Sequence, residues 1–238
     1  AALIDEIAAQ NPSILCLSLY TWNLERSLYL SQELKGRIPG FRVCVGGPEV
    51  AKGSYLFEHP ECFDHFFEGE GEIPFYRFLR EGIEPSKGAK ELLKDLSTIH
   101  SPYLDSLLEK DGDGVVFSEW GRGCRYRCTF CRYHQGRGGK QVLKSRAEVA
   151  ELLKWCRQRN VKEIYLLDPS FEQRKDLKDF LQFLSRENVA PIPIMVELRA
   201  ESIDVSLAEL LYRAGIRRVE TGLQSISSRA LSSCKRNL

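Results

Sequence analysis

The sequence predicts an α/β fold made of two strand-and-helix domains in series. Three observations predict it. Short apolar runs of strand length alternate with amphipathic helical segments, glycine clusters stand at the ends of the strand-like runs, and a turn-rich stretch over 83–113 interrupts the alternation. Strands that alternate with helices pair in parallel, because a parallel neighbour is reached only through a crossover connection.

AALIDEIAAQ reads as an amphipathic helix with Leu3, Ile4 and Ile7 on one face. ILCLSLY follows as a continuous apolar run, the pattern of a strand covered on both faces. Between about residues 24 and 38, Leu30, Leu34 and Ile38 recur at helical spacing. FRVCVGGPEV repeats the plan of strand and then glycines, and FDHFFEGEGE does so again. IPFYRFLREG is a third helix, with Pro74 tolerated in its first turn. EPSKG, a short ELLKDL segment, SPYLDSLL and DGDG then read as a linker ending in a turn.

Beyond it the alternation restarts. VVF leads into a cysteine-bearing loop, and Ser145 with Glu148 forms a capping box that opens a helix whose apolar face is Val149, Leu152, Leu153 and Cys156. EIYLLD is the next strand, followed by a helix aligning Leu177, Phe180, Leu181 and Leu184. IPIMVEL precedes a helix carrying Leu207, Leu210 and Leu211 that stops at Gly215, and RRVETGLQS is the last strand. Four such units predict a barrel-like sheet over 114–238, with 1–82 as the first domain. Both ends read as cut, one opening on a helix and the other closing as a helix begins, so the expectation is a fragment of a longer protein.

Hydrophobic residues make up 43% of the chain and the formal net charge is +1, so a conventional core is expected and no long-range attraction to nucleic acid or an anionic membrane. No apolar run has the length of a membrane span and the start lacks the pattern of a signal peptide, which makes the cytoplasm the expected compartment. Among the eight cysteines, Cys16, Cys44, Cys62, Cys156 and Cys234 read as small buried filler. The other three, Cys124, Cys128 and Cys131, share the stretch CRYRCTFC. That stretch follows a strand and precedes a capped helix, the carboxyl end of a parallel sheet where α/β folds place their chemistry. Two ligand sets suit it: zinc on the three cysteines with His134 as a fourth ligand, or an iron-sulfur cluster with one iron left open. GRGGK at 136–140 lacks the Walker spacing and reads as a connection, and the eight basic residues from Arg122 to Arg146 suit an anionic group nearby.

CRYRCTFC resembles the CxxxCxxC loop of radical S-adenosylmethionine (SAM) enzymes, including the aromatic residue before the third cysteine. The resemblance implies that Cys124, Cys128 and Cys131 bind three irons of a 4Fe-4S cluster whose fourth iron chelates SAM, with Phe130 near the adenine. Asp168 in DPSF stands where the family places a glycine-rich segment for the cofactor's amino group; an aspartate-proline pair there resembles the cobalamin-associated branch. Glu197, Arg199 and Gln224 resemble the residues that hold the methionine and ribose parts, and Arg236 one that pairs with the methionine carboxylate. The plainer alternative for Glu197, Arg199 and Arg236 is ordinary surface ion pairing.

LCLSLYTWN, RVCVGGPEV and FDHFFEGEGE resemble the carboxyl-terminal part of a cobalamin-binding domain of the Rossmann type. Its DxHxxG segment is absent, since none of His59, His65, His100 or His134 sits in that pattern. The fold implied is a partial Rossmann-like cobalamin-binding-type domain followed by a partial (β/α) radical SAM barrel. The implied activity is reductive cleavage of SAM to a 5′-deoxyadenosyl radical for cobalamin-linked methylation or related chemistry on an unknown small molecule. A flavodoxin- or ferredoxin-like electron donor is implied, without membrane or nucleic acid. The alternatives are a methylthiotransferase-like RNA modifier, which lacks a further three-cysteine set here, and a zinc- or corrinoid-binding module without catalysis.

Overall fold

The computed structural model describes residues 2–51, 54–85, 90–133 and 137–236. The chain forms two compact units, Ala1–Leu93 and Lys94–Leu238.

The first unit is a three-stranded parallel sheet in the order β1-β2-β3, with β1 Ile14–Ser18, β2 Arg42–Gly46 and β3 His65–Phe66. The helices are α1 (Ala2–Ala9), α2 (Leu24–Arg37) and α3 (Glu72–Glu81). Strand β2 lies in the middle and is covered on both faces. Val43 and Val45 pack with Leu28 and Leu34 of α2, while Cys44 packs with Phe67 and Phe78. Burying a side chain of this size contributes about 1.5–3 kcal/mol, so β2 is the best-stabilised strand of the unit. The expectation of double cover for ILCLSLY is corrected here. Strand β1 stands at the edge of the described strand order, and its Cys16 is exposed rather than buried filler. Cys44, Cys62 and Cys156 are buried as expected, whereas Cys234 is partly exposed.

The turn after β2 requires glycine. Gly47 has φ +97°, and a Cβ there would stand 2.7 Å from the Leu19 carbonyl oxygen and 2.8 Å from its nitrogen.

The expected linker is divided between the units. Glu70 accepts a hydrogen bond from the Leu93 amide at 2.6 Å, which ties the end of the first unit to itself. From Lys94 onward the chain packs in the second unit: Lys144 donates to the Ile99 carbonyl at 2.7 Å, and Tyr103 is buried beside Trp155.

The second unit holds a four-stranded parallel sheet in the order β4-β7-β8-β9, with β4 Val115–Ser118, β7 Glu163–Leu166, β8 Ile194–Glu197 and β9 Ile216–Glu220. The helices are α4 (Arg146–Gln158), α5 (Leu177–Glu187), α6 (Val205–Arg213) and α7 (Ser228–Ser233). Ser145 caps α4 by accepting from the Glu148 amide, as its sequence predicts. Alternate strand residues Val116, Ile164, Leu166, Ile194 and Val196 join Leu152, Leu153, Phe180 and Leu181 in one core. The other face presents Phe117, Tyr165, Glu197 and Glu220, with Phe117 46% exposed. A two-stranded antiparallel ladder also forms, pairing β5 (Gly121–Arg122) with β6 (Val142–Leu143), which the sequence pattern did not indicate.

Candidate metal and cofactor site

The cysteine loop leaves β5 and returns at β6, so the short ladder closes its base. Gly123 is held at φ +106°, where a Cβ would run into the Lys140 carbonyl oxygen. Residues 137–140 of GRGGK therefore pack against the loop's first turn; His134, the proposed fourth zinc ligand, and Gly136 lie outside the described residues.

Buried polar side chains from the segment after β7 hold the loop's first half. Asp168 is 3% exposed and its Oδ1 accepts from the Trp120 amide at 2.8 Å. Burial raises its pKa to about 7, against the opposing pull of the Trp120 and Gly121 amides and the Arg174 cation. The structure thus commits Asp168 to the loop's own backbone. Arg174, 4% exposed, donates to the Trp120 carbonyl at 3.2 Å and stacks 3.6 Å over the Phe180 ring. Gln173, 3% exposed, accepts from the Arg125 amide at 2.6 Å and donates to Cys124 Sγ at 3.4 Å.

The segment after β8 approaches the second cysteine. Arg199 is buried, its Nη2 lies 2.7 Å from Cys128 Sγ, and its guanidinium stacks 3.3 Å over the Tyr126 ring. Glu201 Oε1 lies 3.5 Å from Arg199 Nη1 and 3.5 Å from Arg236 Nε, so one carboxylate joins the two arginines. Both arginines thus pair with Glu201, but they are buried and so are not the surface pairs of the plainer alternative, and Arg199 also points at a cysteine sulfur. The Thr129 amide donates to the Cys234 carbonyl at 3.2 Å, connecting the loop to the residue after α7.

The three thiols share one neighbourhood. Burial pushes the Cys124 thiol up, the Gln173 amide and Tyr126 backbone draw it down, and Cys131 and Cys128 add to the rise. The three thiols feel one another's charge and the Arg199 guanidinium stands beside Cys128, a donor set that suits a metal centre binding thiolates.

The remaining sequence candidates lie around this centre in different ways. Phe130 is 51% exposed on the loop. Gln224 is exposed with φ +60°, and its side-chain amide occupies the space a Cβ at Gly222 would need. Glu197 pairs in register with Glu220, and its pKa is raised first by burial and then by the Glu220 charge. Of the basic run, Arg122 pairs with Glu119, Lys144 with Glu148 and Arg146 with Asp176.

Sequence reasoning missed Gln173, Arg174 and Glu201. Their only signal is position, just after the carboxyl ends of the second and third strands of this unit. Elsewhere, the His59, Glu61 and Cys62 side chains also meet, but Glu61 Oε1 already bonds His59 Nδ1 at 3.3 Å and Cys62 Sγ at 3.4 Å.

Comparisons with known proteins cover both units. The family model "Radical SAM superfamily" matches residues 118–238, and "B12 binding domain" matches residues 1–79. A 2-(S-pantetheinyl)-carbapenam-3-carboxylate methyltransferase of Streptantibioticus cattleyicolor is 28% identical over 200 residues, covering 71% of this chain and 29% of that protein. The cobalamin-dependent radical SAM methyltransferase TokK of Streptomyces tokunonensis is 28% identical over 195 residues, covering 67% of this chain and 28% of TokK. The chain therefore spans less than a third of the length of these relatives. Among solved structures, the radical SAM methyltransferase TsrM from Kitasatospora setae, with tryptophan substrate and a SAM analogue bound, superposes with a TM-score of 0.71 at 17% identity, covering 99% of this chain and 53% of TsrM. OxsB, a cobalamin-dependent SAM radical enzyme with aqua-cobalamin and SAM bound, gives 0.68 at 18% identity, covering 98% and 38%.

Proposed function

Because this chain belongs to the Radical SAM superfamily, we propose that it serves cobalamin-linked radical SAM methylation of a small-molecule substrate. The observation that carries the reading is the loop's construction. Cys124, Cys128 and Cys131 gather at the carboxyl end of a parallel sheet, with Gln173 donating to one sulfur and Arg199 to another. This donor set fits a cluster with one open iron: three thiolates are supplied, and hydrogen-bond donors offset their charge.

When bound, a 4Fe-4S cluster with SAM supplies reductive carbon-sulfur cleavage, and a corrinoid supplies a methyl carrier. The chain's own residues position these groups. Cys124, Cys128 and Cys131 hold the irons, and Asp168 and Arg174 keep the loop's base against the sheet. Arg236 and Arg199 offer guanidinium groups for a carboxylate, with Glu201 orienting both. Glu197 and Gln224 supply polar contacts along the open sheet face and Phe130 an apolar one. The first unit, matched by the "B12 binding domain" model, would carry the corrinoid. A histidine ligand to cobalt is not part of the proposal, because the DxHxxG pattern is absent. A one-electron donor of the flavodoxin or ferredoxin type completes the reading; no helix among the described residues is long and apolar enough to cross a membrane.

The test is anaerobic reconstitution with iron and sulfide, followed by electron paramagnetic resonance of the reduced chain with and without SAM. The expected result is a cubane signal that changes on adding SAM and is lost in Cys128→Ala. One bound zinc without iron, or a cluster insensitive to SAM, overturns the proposal.

A further inference from the structure

Gln173 has no role in the family reading, yet its side chain donates to the loop's first cysteine. Its carboxamide is nine-tenths buried or more and spans two loop groups, the Arg125 amide at 2.6 Å and Cys124 Sγ at 3.4 Å. The orientation of that amide is fixed by chemistry. A backbone N–H can only donate, so the end facing Arg125 is the oxygen and the end facing Cys124 is the NH2 group.

The mount is rigid. Gln173 closes a single 3-10 turn, Phe171–Gln173, whose Phe171 is 1% exposed in the core and whose following residue, Arg174, bonds the Trp120 carbonyl. The carboxamide is thus carried by a turn anchored on both sides, 49 residues away from the cysteine it meets.

We propose that Gln173 is a positioning residue for the cluster: its oxygen fastens the loop backbone at Arg125, and its NH2 group donates to the Cys124 sulfur and raises the cluster's reduction potential. This inference rests on the three cysteines being cluster ligands. Reduction adds negative charge that spreads onto the ligating sulfurs. A donor on a sulfur therefore stabilises the reduced form more than the oxidised one, and hydrogen bonding to sulfur is among the factors that set iron-sulfur potentials.

Two substitutions separate tethering from tuning. Gln173→Glu keeps the oxygen for Arg125 and, ionised at the alkaline pH of the titration, turns an acceptor toward Cys124. Gln173→Met keeps an unbranched chain of similar length and removes both contacts. In the full chain, iron content, an electron paramagnetic resonance redox titration, and hydrogen exchange at the Arg125 amide in the metal-free protein are measured together.

Gln173→Glu is expected to assemble the cluster at wild-type iron content with at least a tenfold smaller reduced fraction at fixed potential, about 59 mV for one electron. Gln173→Met is expected to lower the potential less and to speed Arg125 exchange, which Gln173→Glu leaves slow. If Gln173→Glu takes up no iron, the potential of Gln173→Met decides alone. Wild-type potentials in the variants that load overturn the inference. A wild-type chain that takes up no iron overturns the cluster reading itself, and the inference with it, even where Arg125 exchange follows the expected order.

Discussion

The two units shape their strand-end turns by different means. After β2, Gly47 lets the chain turn at positive φ against the Leu19 backbone, and backbone groups hold the turn: the Leu19 amide donates to the Gly46 carbonyl at 2.7 Å and the Glu49 amide to the Leu19 carbonyl at 3.2 Å. After β5, the cysteine loop also uses glycines at positive φ, Gly123, Gly138 and Gly139, but its base and first turn are held by Asp168, Gln173 and Arg174 from a segment nearly 50 positions away, as the 48-residue separation of Trp120 and Asp168 shows. The glycine turn is set once β1 pairs with β2 and brings the Leu19 backbone beside it. The tethered loop needs buried side chains as well as strand pairing, so its cysteines are as well ordered as the packing of β4 on β7.

The comparison is broken most severely at Gly47. Gly47→Ala brings a Cβ against the Leu19 backbone at positive φ, and the expected loss is about 3 kcal/mol or more. Hydrogen exchange should show that loss in β1 and β2 while the amides of β4 and β7 keep their protection; equal loosening of both units would mean that the turn is not a device of the first unit alone.

Asp168 sharpens the other half of the comparison. Asp168→Ala leaves the buried Trp120 amide without its acceptor, with an expected loss of about 1–3 kcal/mol in the second unit and faster exchange at Trp120. Asp168→Asn keeps an acceptor and removes the titration. Burial raises the Asp168 pKa from 3.8 to about 7, so between these values the folded chain holds a proton that the unfolded chain has released. Stability from this group is therefore full below its unfolded pKa and is lost as pH rises through about 7, with a slope of up to about 1.4 kcal/mol per pH unit. Denaturation of the metal-free chain between pH 4 and 8 should show that slope in the wild type relative to Asp168→Asn. Parallel profiles would remove Asp168 from the account.

How much of this was legible in the sequence follows from the same contrast. The strands, the helix order, the Ser145 cap and the glycine turns all rest on local or periodic signals, and CRYRCTFC announces its cysteines by spacing alone. The tethers carry no such signal. Gln173, Arg174 and Glu201 are unremarked polar residues until the sheet register sets them beside the loop, and the β5–β6 ladder is too short to leave a period. Asp168 was singled out by resemblance, but its buried bond to Trp120 depends on packing that no local pattern encodes. Cys16 was misjudged because an apolar run looks the same whether its strand is central or at an edge.

The smallest expected effect tests whether the tethers suffice. Ser145 follows β6, which closes the loop's base, and its Oγ accepts from the Glu148 amide at 3.3 Å to cap α4. Ser145→Ala removes that cap and should cost about 1 kcal/mol, measured by chemical denaturation of the metal-free chain. It leaves the Ser145 backbone amide free to go on donating to Ser97 Oγ, a bond of 2.7 Å that does not involve the substituted side chain. Exchange at Arg125 should therefore stay at its wild-type rate, because Gln173 and not the first turn of α4 holds that amide. A faster Arg125 in Ser145→Ala would mean that the loop depends on the helix that follows it, and the distinction between a glycine turn and a tethered loop would have to include α4 among the tethers.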